Sequence, residues 1–230
     1  MAHTLGVANS GSGSGSSLGI ALNGTTAGRG IVVVTEAYVP GTDLTISSIT
    51  CTGEANLTLL GSMFVFTLGG YKYNVQLAYL QNITAGGNKT ITTTWSGTTS
   101  GNSMAMVEFA GGDTAAWLDT STVTGTGTSN NPNVSIATTR AGGLIVAFEA
   151  STNGGLTAGS GYAIFSPVLP NVVWWEEGEY LLDAGSAGTK TSDCTLDASA
   201  DWAFAAASFK APAAAGLVIP VLVDEFRHRR

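Results

Sequence analysis

Trp174-Trp175-Glu176-Glu177-Gly178-Glu179-Tyr180 is the stretch of this 230-residue chain whose residue types come closest to chemistry. Glu177 and Glu179 are two apart, so on a β-strand they share a face. Two carboxylates on one face beside an aromatic ring are the parts of a glycoside-hydrolysing pair, one as acid and one as nucleophile. Gly178, not a further acid, stands between them. The plainer expectation is a wet loop or edge strand with one tryptophan packed inward. Trp174 and Trp175 are adjacent, so on a strand they point to opposite faces. An exposed one beside Tyr180 offers a platform for stacking a sugar ring, and a subunit interface would use it equally well.

The rest of the sequence is poor in reacting groups. Histidine occurs only at His3 and His228, so no internal imidazole serves a Ser or Cys nucleophile. Asp43, Glu54, Asp113, Asp119, Asp183, Asp193, Asp197 and Asp201 are dispersed, mostly in turns, without the spacing of a calcium loop. No metal site and no cofactor are expected. The glycine-rich stretches precede strands, not helices, which is the wrong context for a phosphate loop. Cys51 and Cys194 are too few and too far apart for a paired metal motif. Two buried thiols on strands are expected, with a long-range disulfide as the alternative in an oxidising compartment.

Charged residues make up 11% of the chain, against about 25% in ordinary domains. Solubility therefore rests on Thr, Ser, Asn and backbone polarity, and such a surface suits burial by neighbouring subunits. The net charge is −7 and the basic residues are scattered, except Arg227, Arg229 and Arg230. Nucleic acid is accordingly excluded as a partner. No segment approaches the ~18 apolar residues of a membrane span, so no membrane partner is expected. The N-terminus lacks the basic-then-apolar order of a signal peptide. That leaves a mature chain or export by another route, such as lysis within a virus particle.

Strand patterns recur about every ten residues, the rhythm of a sandwich or barrel. They cover 18–22, 31–39, 44–51, 57–68, 73–80, 89–95, 103–109, 121–126, 133–138, 144–150, 162–165, 172–175, 194–196 and 202–209. Tyr73, Val75, Leu77 and Tyr79 alternate with Asn74 and Gln76, and Leu144, Val146 and Phe148 form another apolar file. Ile31–Val34 is apolar throughout, as in a central strand covered on both faces. Turn signals such as Pro40-Gly41, Gly86-Gly87-Asn88 and Asn130-Asn131-Pro132 separate the runs. At most one helical turn is expected, near Thr114–Leu118. No exact repeat is evident, which excludes a propeller or solenoid. Gly11–Ser17 reads as a flexible connector, and Asp183–Ser192 as an exposed loop.

After Phe209-Lys210-Ala211-Pro212 comes an alanine-rich spacer and then an unusual tail. Leu217, Val218, Ile219, Val221, Leu222 and Val223 form an apolar run around Pro220, followed by Phe226, Arg227 and a basic terminus. Such a run at a chain end aggregates unless it is covered. It either folds back as an edge strand, where Pro220 is tolerated, or reaches a neighbouring protein as an arm.

The segments Gly30–Val34, Leu44–Thr50, Leu57–Ser62, Val75–Leu80, Leu156–Gly161 and Ala200–Ala205 resemble, in their order, a jelly-roll-like domain of bacterial secreted or surface proteins and phage virion proteins. The resemblance covers roughly residues 18–211. It implies an all-β fold, an antiparallel β-sandwich of jelly-roll or Greek-key type, with extended N- and C-terminal arms. The expected division is an arm and linker over 1–17, a sandwich over 18–212 and an apolar/basic arm over 213–230. The resemblance further implies a non-enzymatic structural protein of a phage-like particle surface. Its partners would be copies of itself and a shell or tail protein. The alternative is a carbohydrate-binding or adhesive module, extracellular or on a cell surface, using Trp174, Trp175 and Tyr180 on surface glycans.

Overall fold

Alternation along the strands sets the layering of the protein, seen in a computed structural model that describes residues 3–68, 70–152, 155–164 and 175–213, with Leu68, Trp175 and Glu176 described by their backbone alone. The strands are β1 (Thr4–Thr25), β2 (Gly30–Pro40), β3 (Ile46–Cys51), β4 (Thr58–Leu68), β5 (Tyr71–Leu80), β6 (Gly87–Ala110) and β7 (Leu118–Ser129). There follow β8 (Asn133–Thr138), β9 (Leu144–Ser151), β10 (Leu156–Ala158), β11 (Ala163–Ile164), β12 (Trp175–Leu181), β13 (Gly188–Leu196) and β14 (Ala200–Phe209). The fold is all-β and its strand pairs are antiparallel, with no helix among the described residues. At Thr114–Leu118, Asp113 accepts the Ala115 and Ala116 amides through Oδ1, a local turn that replaces a helical one.

Two inner sheets pack face to face. One runs β1-β6-β2-β5-β4, the other β7-β14-β9-β12-β11. Val32, Val34, Tyr73, Val75, Leu77, Val107 and Phe109 of the first meet Leu144, Val146, Phe148, Ala205, Ala207 and Phe209 of the second. The alternate residues of the same strands face outward and are buried again. Ile31, Val33, Met104 and Met106 pack under Leu18, Leu22, Ile49 and Ile91. On the opposite side Ile145, Ala147, Phe204 and Ala206 pack under Val134, Ile136, Cys194 and Leu196. The outer layers are the second half of β1 with the first half of β6 and β3, and the sheet β10-β13-β8. Both cysteines are buried free thiols, Cys51 in one outer layer and Cys194 in the other.

The body expected as one sandwich thus consists of two halves with the same wiring. In the first half, β1 and β6 run unbroken from inner sheet to outer layer; in the second, β7/β8 and β13/β14 make the same crossings in two pieces. Register carries the correspondence to single residues. Met104 lies between Gly11 and Thr35 as Phe204 lies between Gly125 and Glu149. Val32 pairs with Tyr79 as Val146 pairs with Tyr180.

Three expectations change. Gly11–Ser17 is not a flexible connector, and Thr4–Ser17 is not a free arm: both belong to β1 and pair with β6. The run alternates Ser and Gly with strand period, and Leu18 and Ile20 fold back over the bare positions. A Cβ on Gly11 would lie 2.5 Å from Ile20 Cδ1 and one on Gly13 3.2 Å from Leu18 Cδ1. Gly15, at φ +102°, supplies the bend. The segments 89–95 and 103–109 are one strand, β6, because Gly101 leaves room for the Tyr38 ring instead of breaking the chain. Gly188–Ser192, expected in a loop, opens β13.

Candidate functional site

Two places gather polar side chains. The first is one pole of the molecule, where the described chain starts and stops. His3 is buried, its Nδ1 3.2 Å from the Gly142 carbonyl and its Nε2 3.3 Å from Trp117 Nε1. An indole N–H only donates, so Nε2 accepts, Nδ1 carries the proton, and the ring is neutral. Burial, the largest influence, holds His3 below its usual pKa. The Lys210 amide donates to the Trp117 carbonyl at 2.6 Å, and Asp113 N to the Lys210 carbonyl at 2.9 Å. Arg140 pairs with Asp113 and donates to the Ala211 carbonyl at 3.2 Å. The Trp117 ring packs on Phe209 at 4.5 Å and against bare backbone at Gly30 and Gly112, where a Cβ would lie 2.3 and 2.2 Å from the indole. This pole therefore fixes His3 and Ala211 to the same loop, Arg140–Gly142. The sequence placed His3 at a chain end without a role. The contact with Gly142, 139 residues away in sequence, appears only in the fold.

The second place is β12. Glu177 and Glu179 share a face, as their spacing requires, and Glu179 lies against Ser192 of β13. Glu179 is 2% exposed and accepts hydrogen bonds from Ser192 Oγ (3.0 Å) and the Gly159 amide (3.1 Å). Burial pushes Glu179 up to about 7 and raises Glu177 as well. Directly across from Glu177 on β9 stands Glu149, also 2% exposed. The sequence reading missed Glu149; its signal was a lone acid inside the apolar strand Leu144–Ser151. Burial also raises the Cys194 thiol, and pushes Tyr162 up to about 12. Glu149 and Glu179 are thus inside the protein, with Glu177 half-buried beside them. Among the described residues, no group of three or more His, Cys, Asp or Glu is arranged to hold a metal ion.

Tyr180 points the other way, into the space between the inner sheets, its ring 5.8 Å from Phe109 in an edge-to-face contact. Trp175 opens β12 and pairs through its backbone with Ser151. Trp174 lies outside the described residues, as do the arm residues Leu217, Val218, Ile219, Val221, Leu222, Val223, Phe226 and Arg227. Trp95, Trp117 and Trp202 are buried.

The architecture is that of an all-β protein of stacked antiparallel sheets. No family model matches the chain, and no curated protein matches it.

Proposed function

We propose that this chain is a non-enzymatic structural protein of a phage-like particle surface, a capsid decoration or head/tail fibre subunit, each half wired as a jelly roll. In this reading the segment 213–230 fixes it to neighbouring subunits. The observation that carries the reading is the shared pole: His3 contacts Gly142, and Arg140 of the same loop holds the Ala211 carbonyl. Everything after Ala213 must start from that pole, so an apolar arm there fastens one end and leaves the other displayed. Glu179, buried and already hydrogen-bonded, supports a structural role for the acids of β12 over a hydrolytic one.

The test is the solution mass, by light scattering, of the full chain and of a chain ended at Pro212. An oligomer that collapses to a monomer on truncation supports the arm. Equal monomers overturn it.

A further inference from the structure

Corresponding segments, β3 to β4 and β10 to β11, lead from outer layer to inner sheet in the two halves, and they differ in grip. In the first half β3 pairs with β6 and β4 with β5; in the second β10 pairs with β13 and β11 with β12. The first pair of strands has 6 and 11 residues, the second 3 and 2. What lies behind them differs too. Ala78 pairs with Val33 and Leu59 as Glu179 pairs with Ala147 and Ile164. A fully buried methyl group thus stands in the first half where the second has a buried carboxyl. Glu179 bonds to the short segment itself: its Oε2 accepts the amide of Gly159, in the turn between β10 and β11, and its Oε1 accepts Ser192 Oγ of β13. Gly159 meets β13 with bare backbone, since a Cβ there would lie 2.0 Å from the Asp193 carbonyl oxygen. The titratable groups around Glu179 are Asp193 and Cys194 on β13, Tyr162 on the segment, Glu177 on β12 and Glu149 on β9. None of these is a cation, so an ionised Glu179 is compensated there by its two hydrogen bonds.

We propose that Gly155–Ile164 is a flap whose hold on β13 is governed by the protonation of Glu179, fastened in mild acid and loosened as pH rises. Protonated, Glu179 lies under the flap without a buried charge. Ionised, it stays there only by giving up water, and lifting the flap restores that water. Burial pushes Glu179 up to about 7 in the closed form, and lifting returns it towards its ordinary 4.5. Opening therefore becomes easier between pH 4.5 and 7 and levels off above. The backbone pairing to be broken is three positions on β13 and two on β12, few enough for the segment to open apart from the core strands. The inference is independent of the arm reading above: it concerns how firmly the second half is closed, whatever the chain is fixed to.

The experiment follows amide hydrogen exchange in the full chain and in full-length E179Q and S192A from pH 5 to 8.5, each rate corrected for the intrinsic effect of pH. The amides of Gly159, bonded to Glu179, and Tyr162, bonded to the Gly159 carbonyl, report on the flap; those of Leu144–Phe148 in β9 report on the core. A glutamine at 179 can keep both hydrogen bonds, accepting from Gly159 and donating to Ser192 Oγ, and does not titrate. In the native chain the two flap amides should be less protected than β9 and should lose at least about tenfold in protection between pH 5 and 7.5. E179Q should stay level over the same range. The Ser192 hydrogen bond favours the charged form of Glu179, so in S192A the loss should continue to higher pH than in the native chain. Flap and β9 amides equally protected at every pH would mean that the segment opens only with the whole fold, which overturns the flap. A native flap indifferent to pH, an equal loss in E179Q, or an S192A profile that coincides with the native one overturns Glu179 as its control.

Discussion

Glu149 and Glu177 stand directly opposite each other on β9 and β12, at the register position where the first half of the molecule pairs Thr35 with Gln76. The neutral pair is fully served: Gln76 Nε2 donates to the Leu60 and Leu77 carbonyls and Thr35 Oγ1 to the Ser103 carbonyl. The fold therefore does not need acids at this position. Glu179 lies on the same face, and burial raises both it and the half-buried Glu177.

The consequence is a pH dependence with a definite sign. Glu179 is raised from 4.5 to about 7, so the folded state holds more protons than the unfolded one. Its contribution is complete below pH 4.5 and is lost as pH rises towards 7. The stability difference between the native chain and E179Q should change by roughly 2 kcal/mol across that window and then level off. Copying the first half with E149T/E177Q should raise stability at pH 8 and flatten the profile. Urea midpoints at pH 4.5, 6 and 8 measure both effects. A parallel profile for native chain and variants would show that these acids carry no pH-dependent stability.

Glu54 shifts the opposite way. Burial alone would raise it, but Lys89 at 2.6 Å and the Thr84 hydroxyl and amide outweigh burial and hold it down to about 2. Its contribution is present above pH 4.5 and lost as pH falls towards 2. The two side chains are 1% and 6% exposed, so removing one strands the other. Lys89→Met should cost about 3 kcal/mol at pH 7, by the usual penalty for breaking a buried pair. The double variant E54Q/K89M should recover most of it, measured by chemical denaturation.

Much of this fold was legible, for reasons that particular residues make plain. Ile31–Val34 is apolar at every position because β2 is covered on both faces, and Tyr73 to Tyr79 alternates because β5 puts its apolar side between the sheets. Gly11–Ser17 misled because composition suggests a linker; its Ser/Gly alternation is a strand whose bare face lies under Leu18 and Ile20. The repeated halves were hidden because what repeats is pairing. Gln76 and Glu177 occupy one register position with different chemistry, and a continuous β6 answers a divided β13 and β14. At the site, the shared face of Glu177 and Glu179 was readable from spacing. The third acid, Glu149, and the contact of His3 with Trp117 join segments remote in sequence and appear only once the sheets are assembled.

His3 makes the pole sensitive to acid. Its Nε2 accepts the Trp117 indole proton, and an imidazolium has no lone pair for it. Because burial lowers its pKa, the stability it supplies at neutral pH declines only as pH falls below 6.5 through the folded value. His3→Ala should leave both the indole N–H and the Gly142 carbonyl without this partner and destabilise by about 2 kcal/mol. The indole N–H exchange of Trp117, followed by NMR, should quicken in His3→Ala at pH 7 and in the native chain at low pH. An indole resonance equally protected in both would show that the contact carries no weight.

Gly13 and Gly127 hold equivalent places, opposite Asn102 and Trp202, yet they should tolerate a methyl group differently. A Cβ on Gly13 meets the end of a flexible side chain, Leu18 Cδ1 at 3.2 Å, which can turn aside. A Cβ on Gly127 meets the rigid Trp202 ring at 2.7 and 3.0 Å. That ring is anchored by its Nε1 donating to Ser129 Oγ at 3.0 Å, and it is 9% exposed in the outer layer. Moving it means giving up a hydrogen bond and repacking Val134, its neighbour in the same cluster. Gly127→Ala should therefore cost about 1–3 kcal/mol, the range of an overpacked core, and Gly13→Ala under about 1 kcal/mol. Denaturant midpoints of the two single variants decide it. Equal losses would mean that the Trp202 ring shifts as freely as the Leu18 side chain.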